Sequence, residues 1–484
     1  MQTNRHSFFI VMRNLFQFDY ELAKHPLASI ILACLSAALC GYWLLYPAQI
    51  ALLMPDSTSY LDFQDYRGAG YPASLALLKS IGLSIKQIPL IQNLLFFLSL
   101  YFLVKAFNKR FHSLGLSIAL LIGIGLNPAI VRYNFSIITE SLYFASLFIF
   151  LGLILKVCYK RTSRGRVRRP LNYVLIGLFF AWLILIKPVS WSFIAVPVFI
   201  IWQHISLREN VARAMTFLFA GFICMHIAGT AYRYAVHEQF SGGSFFGNQL
   251  IGKLAFTPFD PKQTPYPEAG KLWLDIMQPS HEARKKLDKH NERFLFALNT
   301  YDFLRFDNMP AIVEAMQTED KNSAQKDLAI AVLKQNPQSY AYDVGLNFIN
   351  LWTIGELQSK SFSLAYNKKL DQISEEFKDQ IPEPYYLNED GSLQVIVIKP
   401  LLLLIALLNL ITILAGIIYL IRFKPQNTAF NQLFIMACSV NAYFLLTALL
   451  QAALTRYAIV AWPMHLILLF GLVALLRNKL FLYD

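Results

Sequence analysis

The chain has little of what builds metal centres, disulfide scaffolds or nucleotide sites. Its five cysteines, Cys34, Cys40, Cys158, Cys224 and Cys438, lie in or beside apolar runs, and no two share C-x-x-C spacing. Neither a disulfide framework nor a thiolate metal site is expected. His226 falls in an apolar run, and His237, His281 and His290 lack H-x-x-x-H or H-E-x-x-H spacing, so no zinc site is expected either. His465 follows Pro463 within another apolar run and reads as a packed or paired side chain. No Walker A sequence, dinucleotide fingerprint, internal repeat or low-complexity tract occurs. Charge is scarce as well: 15% of the residues are charged against 56% hydrophobic, a balance outside the range of soluble domains that places the chain in a membrane. The net charge of +13 is scattered between hydrophobic runs, where the positive-inside trend accounts for it, and no nucleic-acid partner is expected.

What the chain does have is apolar runs of about 18 to 25 residues, long enough to cross a hydrocarbon core of about 30 Å. They predict spans near 27–47, 88–107, 114–131, 140–158, 171–187, 189–205, 212–232, 396–421, 430–454 and 458–476. The expected fold class is therefore an all-α polytopic membrane protein. The mixed, basic start "MQTNRHSFFIVMRNLFQFDYELAKHP" precedes an apolar run without an A-x-A site, so the first span is expected to be retained. Ten spans put both termini on one side. Arg5, Arg13, Lys109, Arg110, the run "KRTSRGRVRRP", Arg208, Arg213, Arg422, Lys424, Arg477 and Lys479 all fall on that side, which is thereby the cytoplasm. Three parts are expected: an N-terminal transmembrane module, 1–232; a mostly helical outer insertion, 233–395; and a C-terminal transmembrane module, 396–484. Within the insertion, "SGGSFFGNQLIGKLAFTPFDP" reads as a loop, Pro337 separates two helices, and Ser339 to Trp352 suits the membrane interface.

The first outer loop, about 48–88, carries "PDSTSYLDFQDYRGAGYP". Asp56 or Ser57 suits a helix N-cap, and "DSTSYLDFQDY" a short amphipathic helix on the membrane surface. Two roles stay open for Asp56: a cap, or a carboxylate with chemistry to perform. Glu140, at the outer end of the fourth span, has the same ambiguity, with Thr139 as an alternative cap. Four cations, Arg67, Arg132, Lys187 and Arg456, lie on the outer face against the trend followed elsewhere. Singly each suits snorkelling to the interface. Together with two acids they suggest an outward pocket for an anion such as a lipid phosphate. A sugar carried on a lipid phosphate leaves as an already stabilised anion, so such a site needs cations for the phosphate and one carboxylate for the acceptor proton.

"PDSTSYL", "YRGAGYPASLALL", "TESLYF", "IKP" and "RYAIVAWP" together resemble the bacterial GT-C class of membrane glycosyltransferases, in particular the family 39 protein O-mannosyltransferases and the lipid A aminoarabinose transferases. The likeness covers roughly 27–232 and 396–476 and stops short of the insertion. It implies a GT-C type helical bundle in a bacterial inner membrane, with the site facing the periplasm. It implies a polyprenyl-phosphate sugar donor, an envelope lipid, glycan or protein acceptor, and inverting transfer. Asp56 is then the base, Glu140 a second acid, and Arg67 and Tyr71 part of an R-x-x-G-Y-P element. Tyr60, Arg132, Lys187, Arg456 and Tyr457 become candidate phosphate or sugar contacts. Class members often carry two adjacent acids in the first loop, whereas Asp56 is followed by Ser57, and Asp62 and Asp65 lie farther on; no metal or other cofactor is expected. An O-antigen ligase or polymerase using lipid pyrophosphate glycans, and a transporter, are the alternatives. The paired repeats common in transporters do not occur.

Overall fold

Lipid offers backbone amides no partner, so an apolar chain crossing it must close its hydrogen bonds within each segment, as a helix does. The structure, a computed structural model, describes residues 2–46, 53, 56–157, 170–206, 211–240, 246–286, 304, 308–352, 392–422, 428–450 and 455–481. Among these residues the regular elements are all helical. Six helices are long and apolar enough to cross a membrane: Pro26–Leu45, Ile85–Phe111, Thr139–Val157, Val211–His237, Ala429–Leu450 and Ile459–Lys479. Shorter apolar helices at Leu114–Gly125, Pro170–Ile186, Pro188–Trp202 and Leu403–Ile418 coincide with the other predicted spans.

The bundle core is aromatic where the Ile88–Phe111 and Thr139–Val157 helices meet. Phe96 sits edge-on to Phe97, Phe144 and Phe148, with centroids 5.1, 6.4 and 5.1 Å away. Such rings bury large area in edge-to-face contacts. Buried polar groups tie the helices at defined heights: Trp43 Nε1 donates to the Gly125 carbonyl at 2.7 Å, and Ser36 Oγ to the Phe97 carbonyl at 2.9 Å.

One end of the bundle is closed by a charged clasp. Arg477 Nη1 pairs with Asp19 and donates to Ser113 Oγ, while Nη2 donates to the His112 carbonyl at 2.9 Å. Asp19 also receives the Gly115 N–H at 2.8 Å. Near the same helix ends, Gln432 Nε2 donates to the Ile154 carbonyl at 2.9 Å and its oxygen accepts from Arg110. Glu140 lies at the other end of the Thr139–Val157 helix, fourteen residues from Ile154, or about 21 Å at the α-helical rise.

Two segments differ from expectation. Residues Gln2–Lys24, read above only as a mixed basic start, form a helix, with Leu15 and Phe18 57% and 68% exposed on it. Within the stretch expected to be a loop, Phe246–Lys253 is helical. Gly247 is there for a close approach and not for a turn: a Cβ on it would lie 2.5 Å from the Lys326 backbone nitrogen. That contact belongs to a second core, in which Leu254, Trp273, Met277, Ile312, Leu328 and Val332 are buried. As the sequence suggests, Pro337 parts Lys321–Gln335 from Pro337–Trp352. The latter helix docks on the Thr428–Leu450 helix: Tyr340 Oη donates to the Leu449 carbonyl at 2.7 Å, and Trp352 stands edge-on to Phe444 at 5.1 Å.

Candidate functional site

Asp56 occupies the N-cap position of the Ser57–Leu61 helix, yet its side chain makes no capping bond. Its Oδ1 accepts from Arg67 Nη2 at 2.7 Å instead. The helix is five residues long, and Ser57, Ser59 and Tyr60 are buried, so the expected eleven-residue surface helix is replaced by one tight turn drawn into the bundle. Ser57 Oγ donates to the Ile137 carbonyl and Ser59 Oγ to the Asp56 carbonyl, both at 2.6 Å. These bonds fix the backbone under Asp56 and leave its carboxylate to Arg67.

Arg67 is held through its whole fork. Nε donates to Ser59 Oγ at 2.8 Å and Nη1 to Tyr60 Oη at 3.0 Å, and the guanidinium lies 4.3 Å from the Tyr60 ring centroid and 5.1 Å from that of Tyr66. Burial works against its charge, but the neighbouring Tyr60 and Asp56 outweigh burial and hold the guanidinium protonated. Arg233 Nη1 donates to the Arg67 carbonyl at 2.9 Å. The next residue explains the glycine in "YRGAGYP". A Cβ on Gly68 would lie 2.3 Å from the Leu185 carbonyl oxygen, so only glycine lets the loop meet the chain two residues before Lys187. Gly68→Ala is therefore expected to cost about 1–3 kcal/mol by overpacking. A thermal midpoint in detergent unchanged from wild type would show that the loop yields without penalty.

The second pair is deeper. Lys187 Nζ lies 2.7 Å from Glu140 Oε1, with the side chains 11% and 2% exposed, against 21% and 24% for Arg67 and Asp56. Thr139 Oγ1 donates to Glu140 Oε2 at 3.1 Å, so Glu140, in the first turn of its helix, faces a cation and a hydroxyl. Lys187 Nζ also lies 5.5 and 5.7 Å from the ring centroids of Tyr143 and Tyr457. Tyr143 Oη and Ser190 Oγ are bonded at 2.9 Å.

Tyr60 joins the two pairs. Its hydroxyl accepts from Arg67 on one side and neighbours Thr139, the donor to Glu140, on the other. Burial, reinforced by the charges of Asp56 and Glu140 and opposed by Arg67, pushes its phenol well above the ordinary range, so it stays neutral. Tyr71 stands edge-on to Tyr60 at 5.4 Å and donates to Gln92 Oε1 at 2.9 Å, and Gln92 in turn donates to the carbonyls of Asn134 and Ser136. Tyr71 thus backs Tyr60 while its own hydroxyl is spent on the scaffold.

Arg132 is not drawn into either pair. Its Nη2 donates to Tyr133 Oη at 3.1 Å, and its buried Nε has no partner among the described residues. The backbone of Arg456 lies in the Thr455–Ala458 helix; its side chain falls outside the described residues. Asp62 and Asp65 are exposed, and Asp65 acts electrostatically on Arg233. Among the described residues no three His, Cys, Asp or Glu side chains group as metal ligands.

Sequence reasoning missed Ser59, Thr139 as a donor to Glu140, Tyr143 and Ser190. Ser59 lies within "PDSTSYL" and Thr139 and Tyr143 within "TESLYF", but no spacing singled out their side chains beyond the one helical turn that separates Ser59 from Asp56, and Ser190 lies outside every quoted stretch. In sum, the site holds an accessible carboxylate and a buried one, each neutralised by a cation, with a neutral phenol between them. Compared with protein-family models, curated proteins and solved structures, the chain matches none. Fold and site define a helical membrane protein with two linked acid–cation pairs at one end of its helices.

Proposed function

We propose that the protein is a GT-C type glycosyltransferase of ten spans, set in a bacterial inner membrane with both termini cytoplasmic. It moves a sugar from a polyprenyl phosphate to an envelope lipid, glycan or protein on the outer face. The observation that carries this reading is the meeting of Asp56–Arg67 with Glu140–Lys187 through Tyr60. The opposite grouping of Asp19, Ser113 and Arg477 supports the alternation of the ten spans.

In the reaction, the acceptor's oxygen attacks the anomeric carbon of the sugar from the face opposite the phosphate. Asp56 takes the acceptor's proton, the bond from anomeric carbon to phosphate oxygen breaks, and the electron pair leaves on the phosphate. Arg67 and Lys187 supply the compensating positive charge where the leaving group's charge grows. Asp56 suits the base because its pair is the more accessible one; Glu140, nearly sealed, orients Lys187. Mass spectrometry of envelope glycolipids and glycoproteins from cells with and without the gene tests the reading. The expected result is the loss of one hexose or pentose from a single acceptor class; identical glycan profiles overturn it.

A further inference from the structure

Three buried hydroxyls on one face of the Thr428–Leu450 helix make no well-formed hydrogen bond among the described residues. Ser439, Tyr443 and Thr447 recur at four-residue intervals, which stacks them on one face over about 12 Å of helix. They are 2%, 0% and 1% exposed, and Ser439 Oγ, Tyr443 Oη and Thr447 Oγ1 each lack a hydrogen-bond partner among the described residues. A helical Ser or Thr ordinarily spends its hydroxyl on the carbonyl four residues back. Ser146, Thr216 and Thr412 do so in this protein, at 2.7, 2.9 and 2.7 Å. Ser439 and Thr447 forgo that bond; the Thr447 hydroxyl faces Tyr443 Oη instead, without the geometry of a formed hydrogen bond, and a buried hydroxyl left unpaired bears its full desolvation cost.

The face lies beside the acid–cation pairs. Tyr443 is stacked on Phe193 at 6.4 Å and shares its surroundings with Tyr143, Tyr457 and Glu140, the groups around Lys187. The helix itself carries no charged residue from Thr428 to Leu450. A phosphate would find no cation on it, whereas a neutral polyol, whose hydroxyls both donate and accept, matches the three side chains in kind.

We propose that Tyr443 and Thr447, with Ser439 one turn deeper, form the pocket that binds the hydroxyl groups of the donor's sugar, while its phosphate rests on Arg67 and Lys187. The proposal depends on the glycosyltransferase reading above and adds to it the residues that select for a sugar.

Tyr443→Phe and Thr447→Val remove the polar group and keep the volume. The full chain in nanodiscs is titrated with decaprenyl phosphate and with decaprenyl phosphate bearing a hexose or a pentose. Each variant is expected to bind the best of the sugar-bearing lipids about tenfold more weakly than wild type, the worth of one hydrogen bond, and decaprenyl phosphate as well as before. Ser439→Ala supplies a second test should either variant fold poorly. Unchanged binding of both kinds of lipid shows that the face holds only water and overturns the proposal, as does an equal loss for both kinds. If the wild type binds none of these lipids, the glycosyltransferase reading falls first and takes the pocket with it.

Discussion

Asp56→Asn leaves the protein folded in membranes and abolishes sugar transfer; this is the expected result of removing one titratable oxygen from the site. Asparagine keeps the size of the side chain and an oxygen able to accept from Arg67 Nη2, so the Ser59–Tyr60–Arg67 lattice survives. Loss of the ion pair itself is a small penalty, because both side chains keep solvent contact and such pairs contribute about 0–1 kcal/mol. What asparagine cannot do is take a proton. General-base catalysis of this kind contributes roughly 10²–10⁴ in rate, and transfer should fall by that factor with thermal stability near wild type. Transfer at the wild-type rate would remove Asp56 from the mechanism and return it to a purely structural role at the start of its helix.

The second large effect is on folding. In Lys187→Met the Glu140 carboxylate, 2% exposed, loses its cation and keeps the Thr139 hydroxyl, which brings no compensating charge. Breaking a buried pair from one side costs about 3–5 kcal/mol, because an uncompensated charge stays in the low-dielectric interior. Removing both charges removes that burden. The double variant Lys187→Met with Glu140→Gln should therefore melt close to wild type while transferring little sugar. Thermal midpoints of wild type, both single variants and the double variant form a cycle that isolates the coupling. A double variant no more stable than Lys187→Met alone would show that the pair is not the interaction at stake.

The spans were legible because hydropathy over a membrane-length window is a property of the sequence itself. Each predicted run falls on an apolar helix, although among the described residues six meet the length and composition of a full span. The unusual placement of Asp56, Arg67, Glu140 and Lys187 was legible for the same reason: charges at the rims of apolar runs stand out. Their partners were not. Glu140 and Lys187 are 47 residues apart, and the loop that turns Asp56 toward Arg67 is held by hydroxyl bonds from Ser57 and Ser59 to the Ile137 and Asp56 carbonyls that no local pattern announces. Phe246–Lys253 was misread because a glycine that permits helix-to-chain contact looks, in sequence, like one that permits a turn. The Gln2–Lys24 helix was missed because its charges are dispersed among apolar residues and its anchor, Asp19 to Arg477, spans nearly the whole chain.

The central claim is that a sugar leaves a lipid phosphate at the Asp56 site. Its most direct test is turnover by the purified full-length protein, given decaprenyl-phosphoryl sugars in one set of reactions and lipid pyrophosphate glycans in another, with envelope extract as acceptor. The account predicts release of decaprenyl phosphate together with a glycosylated product of inverted anomeric configuration, by the wild type and not by Asp56→Asn. Consumption of the pyrophosphate glycan alone, or movement of lipid across sealed vesicles without any covalent product, would contradict it.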